Sequence, residues 1–295
     1  MAGMSLLVSL SNIAFNYLLI AVLEMGVAGS AYGTALAQAL SFSIILGFRI
    51  YGQTELRPSA LWQYKLYTEW RHILALGAPQ SLSFIGIGLG SAAIIAALQL
   101  VDTAHYEATV SAYGIITRVL TFGFLPLLGL SYAMQTITGN NFGARDLGRS
   151  NRSLKIAISA ALIYCSLLQA GLTLFAQQMG AAFVDDPLVI AEVARILPVV
   201  IALFFIAGPQ MMIAMHHQAI GDASSAALLS LTKPYLLAIP LTFGLAAMLG
   251  ENGIWIAAPL SELLLMALTT VILAKFARRR LLRWGLFHPT STVRT

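Results

Sequence analysis

Arg118 and Glu262 each stand inside a long apolar run, about ten residues from the nearest polar loop, which at ~1.5 Å per residue is near the middle of a bilayer. A charge at that depth costs at least ~2.5 to 3.5 kcal/mol, so it needs a partner, water or a task. Both runs enter from the same side, and an ion pair between the two residues is expected. Freed from that pair, the Glu262 carboxylate is a candidate proton site. Glu192 and Arg195 are three residues apart and can pair on one helix face as a structural brace. Lys233 is about two turns from the end of its run, where its alkyl stem lets the ammonium reach the interface.

Uncharged polar residues form a second tier. Asn12 and Asn16 are one turn apart and are suited to an ion or substrate, or to a hydrogen bond with a neighbouring helix. Gln210 and Met211, with Met212 and Met215, follow Pro209; thioethers after a kink can line an adaptable pocket or simply pack. His216 and His217 are adjacent, so their rings point to different faces, which argues against a metal site. The single Cys165 rules out a disulfide framework or thiolate metal site within the chain. The glycines of 139–143 follow an apolar run rather than a strand, which argues against phosphate binding. Within the runs no His, Cys, Asp or Glu cluster has catalytic spacing, so neither an enzyme nor a resident cofactor is expected.

The elements that carry these residues are membrane helices. The chain is 58% hydrophobic and 10% charged, against roughly 25% charged in ordinary soluble domains. Eight apolar runs follow one another at about 4–23, 28–49, 73–100, 108–137, 156–183, 188–213, 226–249 and 253–274, each close to the ~20 residues that cross a bilayer. This is an all-α, polytopic fold. Arg49, Arg57, Lys65 and Arg71 mark one polar segment, Arg145 to Lys155 a second, and Lys275 to Arg294 a third, while the four alternate loops contain no Lys or Arg. Short basic loops stay inside, so both termini are expected in the cytoplasm of a cell with the protein in its inner (plasma) membrane. That placement also accounts for the net charge of +5 without a nucleic-acid partner.

Four segments result: 1–50 with two helices, 51–72 as a cytoplasmic linker, 73–274 with six helices, and a basic tail at 275–295. In the linker Trp62, Leu66, Tyr67 and Trp70 recur at helical spacing, as in a helix lying on the membrane surface. Laying Gly26–Gln38 on Gly250–Glu262 aligns Gly26 with Gly250, Gly29 with Gly253 and Gln38 with Glu262. Six runs separate the two, so they cross the membrane in the same direction, as parallel repeats of transporters do. Seven prolines, among them Pro79, Pro126, Pro209, Pro234 and Pro259, fall inside runs and are expected to kink them.

Several short stretches follow one another along nearly the whole chain: Asn12-Ile13-Ala14-Phe15-Asn16-Tyr17, Ala112-Tyr113-Gly114-Ile115-Ile116-Thr117-Arg118, Gly139-Asn140-Asn141-Phe142-Gly143-Ala144-Arg145, Gln218-Ala219-Ile220-Gly221-Asp222 and Gly253-Ile254-Trp255-Ile256-Ala257-Ala258-Pro259-Leu260-Ser261-Glu262. In this order they resemble the multidrug and toxic compound extrusion (MATE) family. The resemblance implies two six-helix lobes and export of organic cations or drugs in exchange for H+ or Na+. This chain would then hold the last two helices of the first lobe and all of the second, with the first four helices missing. NorM-like members carry acidic residues where this chain has Ile87 and Pro209, and DinF-like members one where it has Asn16. Read from their type and depth rather than from the resemblance, Asn12, Asn16, Gln38, Arg118, Gln210, Met211 and Glu262 are the candidate ion or substrate pathway.

Small organic substrates and membrane lipids are the expected partners, with either the missing N-terminal helices or a second copy closing the cavity. Without them the chain is not expected to perform coupled export alone. Two rival readings are a flippase for lipid-linked oligosaccharides, which would need several cations along its cavity, and a non-transporting, truncated remnant.

Overall fold

The computed structural model describes residues 2–51, 70–101, 103–279 and 281–287. Residues 52–69, most of the surface helix expected within 51–72, lie outside the described residues, as does the end of the tail, while Trp70 and Arg71 open the next helix. Among the described residues the regular structure is helical, apart from one isolated bridge between Arg283 and Phe287. The chain divides into two compact units, Met1–Trp70 and Arg71–Thr295.

In the first unit, α1 (Ala2–Asn16) runs into a π-helical turn, π1 (Tyr17–Val22), and then packs against α2 (Gly26–Tyr51). The second unit begins with α3 (Trp70–Leu100) and α4 (Tyr106–Gly143), followed by α5 (Leu147–Leu174), the short α6 (Ala176–Ala181), and α7 (Pro187–Val200). It continues with α8 (Phe204–Ala219), α9 (Ala223–Leu231), a second π-helical turn π2 (Thr232–Ala238), α10 (Ile239–Leu249) and α11 (Glu251–Arg279).

Six helical stretches are long and apolar enough to cross a membrane: α2, α3 from Ile73, α4, α5, the continuous Ala223–Leu249 and α11. Helices α7 and α8 make a seventh if taken as one span bent by 50°. The first of the eight expected runs is a shorter apolar helix over Leu6–Val22, ended by the π turn and the break that follows it. The chain is thus a polytopic helical membrane protein, with six to seven such spans among the described residues.

Helix starts are written locally. The carboxylates of Asp146, Asp186 and Asp222 accept from the backbone N–H groups of Arg149 (3.0 Å), Leu188 (2.9 Å) and Ser225 (3.2 Å), satisfying donors that the first turn leaves unpaired. Pro187 at the first position of α7 loses no hydrogen bond there.

Two buried clusters hold the second unit. One gathers Ile116, Val193, Ile196, Leu197, Ile254 and Trp255, with the Tyr113 and Trp255 ring centroids 5.8 Å apart. The other gathers Leu127, Leu154, Cys165, Met212 and Leu286. Small residues set the approach: a Cβ on Gly208 of α8 would lie 2.6 Å from Cys165 Sγ and 3.0 Å from the Ala161 carbonyl oxygen of α5.

The sequence repeat has a backbone counterpart. Gly26 and Gly250 both have positive φ just before or at the start of a long helix. Three residues later, Gly29 and Gly253 lie against the carbonyls of Leu19 and Leu245 on the preceding helix. Only a residue without Cβ permits these close turns.

Candidate functional site: a cavity around one ion pair

A cavity of about 310 Å³ is lined by residues of α3, α4, α8, α9, π2 and α11. All its walls belong to the second unit. Its apolar lining includes Phe84, Ile87, Phe124, Leu128, Met211 and Leu265, and its charged residues are Lys233 and Glu262. That size falls at the lower end of small-molecule sites, and an apolar wall with a few convergent polar groups is their usual composition.

Each polar group arrives by an identifiable local feature. Pro234 has no N–H to give, and the helix at that point widens into π2, which carries Lys233. Helix α3 is pinned beside it: the Tyr235 hydroxyl donates to the Leu82 carbonyl (2.8 Å), and a Cβ on Gly86 would be 2.7 Å from Pro234 Cβ. Gln210 directly follows Pro209 in α8, and Glu262 follows Pro259 in α11 by three residues.

The Lys233 ammonium pairs with Glu262 Oε2. Gln210 Nε2 donates to Glu262 Oε1 and to the Glu262 carbonyl, both at 3.3 Å. The two charges differ in exposure: the Glu262 side chain is 6% exposed and that of Lys233 is 39%. Gln210 is 8% exposed, and its Oε1 is buried without a hydrogen-bond partner. The cluster therefore holds more acceptor capacity than the donors around it use.

Arg118 does not pair with Glu262. It is exposed on α4, on the same face as Ser111, Phe122 and Leu125, while Ile115 and Ile116 turn inward. Equal depth placed the two charges at one level but said nothing of which way each helix faced. The expected Glu192–Arg195 pair is present and larger than expected, because Arg195 also pairs with Glu251 and reaches Asn252 Oδ1 (3.4 Å). Trp255 Nε1 donates to Glu251 (3.1 Å), so this group ties α7 to the start of α11.

Asn12 and Asn16 lie in the first unit, where Asn16 donates to Asn12 and Asn12 donates to Thr34 Oγ1, each at 3.1 Å. They join α1 to α2. Gln38 is exposed on α2. Met211 and Met215 line the cavity, whereas Met212 is fully buried in the core. His216 and His217 are buried with ring centroids 5.8 Å apart, and His217 Nδ1 is 3.6 Å from Asp222 Oδ2. Lys233 was expected to reach the interface, and the structure instead brings it to the cavity. A signal existed in the Lys-Pro pair inside an apolar run, since an irregular turn there changes which way the lysine faces.

Residues 101–243 match the MatE family model. The human protein "Multidrug and toxin extrusion protein 2" is 28% identical over 188 residues, covering 62% of this chain and 30% of that protein. "Probable multidrug resistance protein YpnP" of Bacillus subtilis is 24% identical over 252 residues, 85% of this chain and 55% of that protein. Among solved structures, a MATE protein in its bent conformation superposes with a TM-score of 0.79 at 20% identity, over 94% of this chain and 60% of that one. The chain thus spans about a third to three fifths of the proteins it matches. The family match falls on the unit that contains the cavity and the helical fold is shared with solved MATE proteins, so over that unit the chain is similar to the MATE family of membrane transporters.

Proposed function

We propose that this protein takes part in secondary active export of small organic compounds, cationic drugs among them, with the cavity around Glu262 as a binding site. The observation that supports this reading most is the composition of the cavity: an apolar wall, two adaptable methionines, and a single buried carboxylate beside an unpartnered amide oxygen. The names of the relatives, multidrug extrusion and multidrug resistance proteins, point the same way. H+ or Na+ is the proposed coupling ion, and Glu262 the residue that meets it. An ion can bias inward and outward states only by binding one of them better, and among the residues lining this cavity Glu262 is the one carboxylate. The flippase reading is weaker, because among those lining residues Lys233 is the one cation and it is already paired. The proposed location is the inner membrane with the basic segments in the cytoplasm.

The test is equilibrium binding of ethidium to the purified chain and to Glu262→Gln, across a pH series with and without sodium. Binding that is weakened in Glu262→Gln and altered by one of the two ions supports the reading and names the ion. Absence of ethidium binding, or binding indifferent to Glu262 and to both ions, contradicts it.

A further inference from the structure

Lys233 is the movable partner of the ion pair and Glu262 the fixed one. The Glu262 carboxylate on α11 is buried and held by Gln210 of α8, whereas more than a third of the lysine side chain is exposed. An ionised carboxylate has about four lone-pair sites, of which one oxygen here meets the ammonium and the other a single amide N–H. Beside it Gln210 Oε1, buried and unpartnered, is an acceptor too. A ligand that completes this cluster must bring hydrogen-bond donors and positive charge. The place it would take beside Glu262 is filled by the Lys233 ammonium, and two cations sharing one carboxylate in an apolar cavity repel one another.

We infer that Lys233 is a built-in placeholder cation: it occupies Glu262 when the cavity is empty and is displaced toward water when an organic cation binds Glu262 and Gln210. This rests on the proposed binding role of the cavity and deepens it. The substrate class is a lipophilic compound with a protonated amine or fixed positive charge, small enough for the cavity. The placeholder has two consequences. The carboxylate is never left uncompensated in the empty carrier, which avoids the cost of an unpaired buried charge. Ligand affinity is also reduced by the fraction of time the lysine is in place, so removing the lysine tightens binding.

The test is equilibrium binding of ethidium, by fluorescence anisotropy, to the purified full chain and to Lys233→Met, Lys233→Arg and the double variant Lys233→Met/Glu262→Gln, with carboxyfluorescein as an anionic control. The inference predicts ethidium binding about tenfold tighter in Lys233→Met. It predicts weaker binding in Lys233→Arg, since a guanidinium grips a carboxylate through two hydrogen bonds, and none in the double variant. If Lys233→Met does not fold, the arginine and double variants carry the decision. Wild-type binding of ethidium that is unchanged in Lys233→Arg and not tightened in any folded Lys233→Met overturns the inference and leaves the cavity's binding role standing. No ethidium binding by any form overturns both. Binding of carboxyfluorescein by the wild type that is lost in Lys233→Met assigns Lys233 to anions and overturns the placeholder.

Discussion

Gly26 and Gly250 share a positive φ, +56° and +62°, and each is followed three residues later by a glycine pressed against a carbonyl of the preceding helix. The likeness therefore extends beyond small-residue composition, which is common in membrane helices. At Gly250 ψ is −145°, close to a region that other residues scarcely enter.

The tight turn predicts a graded set of effects. Gly253→Ala drives a Cβ into the Leu245 carbonyl and is expected to cost about 1 to 3 kcal/mol. Gly250→Ala is expected to cost a similar amount through backbone strain alone. Gly88→Ala in α3, with nothing within 4 Å of the added Cβ, should be neutral. Thermal unfolding of the purified variants in detergent checks the order; a Gly88→Ala effect as large as Gly253→Ala would contradict it.

A second prediction separates Glu262's partner from its neighbour in depth. Lys233→Ala leaves a carboxylate buried and is expected to approach the ~3 to 5 kcal/mol seen on breaking buried pairs; Glu262→Ala leaves the more exposed partner, the ammonium, and should cost less. Combining Lys233→Ala with Glu262→Ala should be less than additive, and combining Arg118→Ala with Glu262→Ala should be additive. Coupling between Arg118 and Glu262, with none to Lys233, would reverse the assignment.

The network around Arg195 predicts a third outcome. Arg195→Ala leaves Glu192 and Glu251 facing one another across the α7 and α11 starts, at an expected cost of about 1.5 to 3 kcal/mol for hydrogen bonds to charged groups. Adding Glu251→Gln should recover part of it by removing the repulsion. Unfolding curves of the single and double variants decide this; an equal or larger loss in the double variant contradicts the brace.

What the sequence revealed depended on the kind of information required. Run length and basic loops were enough for the helical membrane fold, because both follow from transfer of single residues into lipid. The glycine repeat is local and was readable. The partner of Glu262 was not. It depends on the direction each helix faces, and π2 at Thr232–Ala238 changes that direction for Lys233 in a way that ideal helical spacing does not include. Arg118 carried a warning of its own, since it shares a face with Phe122 and Leu125, two large apolar residues that are exposed.

Orientation gives a fourth prediction. Single cysteines at Glu107 and Arg149, both exposed, in a Cys165→Ala background should label oppositely with an impermeant thiol reagent added to intact cells: Glu107→Cys from outside, Arg149→Cys only after permeabilisation. Labelling of both from outside would contradict the proposed placement of the basic segments.

The most direct measurement of the central claim, that the cavity of the second unit receives small organic compounds, is protection of a cavity cysteine by ligand. Met211→Cys in the Cys165→Ala background places a thiol on the cavity wall, and Phe122→Cys places one on the exposed face of α4. Ethidium is expected to slow alkylation of the first by N-ethylmaleimide in a concentration-dependent way and to leave the second unchanged. Equal alkylation of Met211→Cys with and without saturating ethidium would contradict the claim.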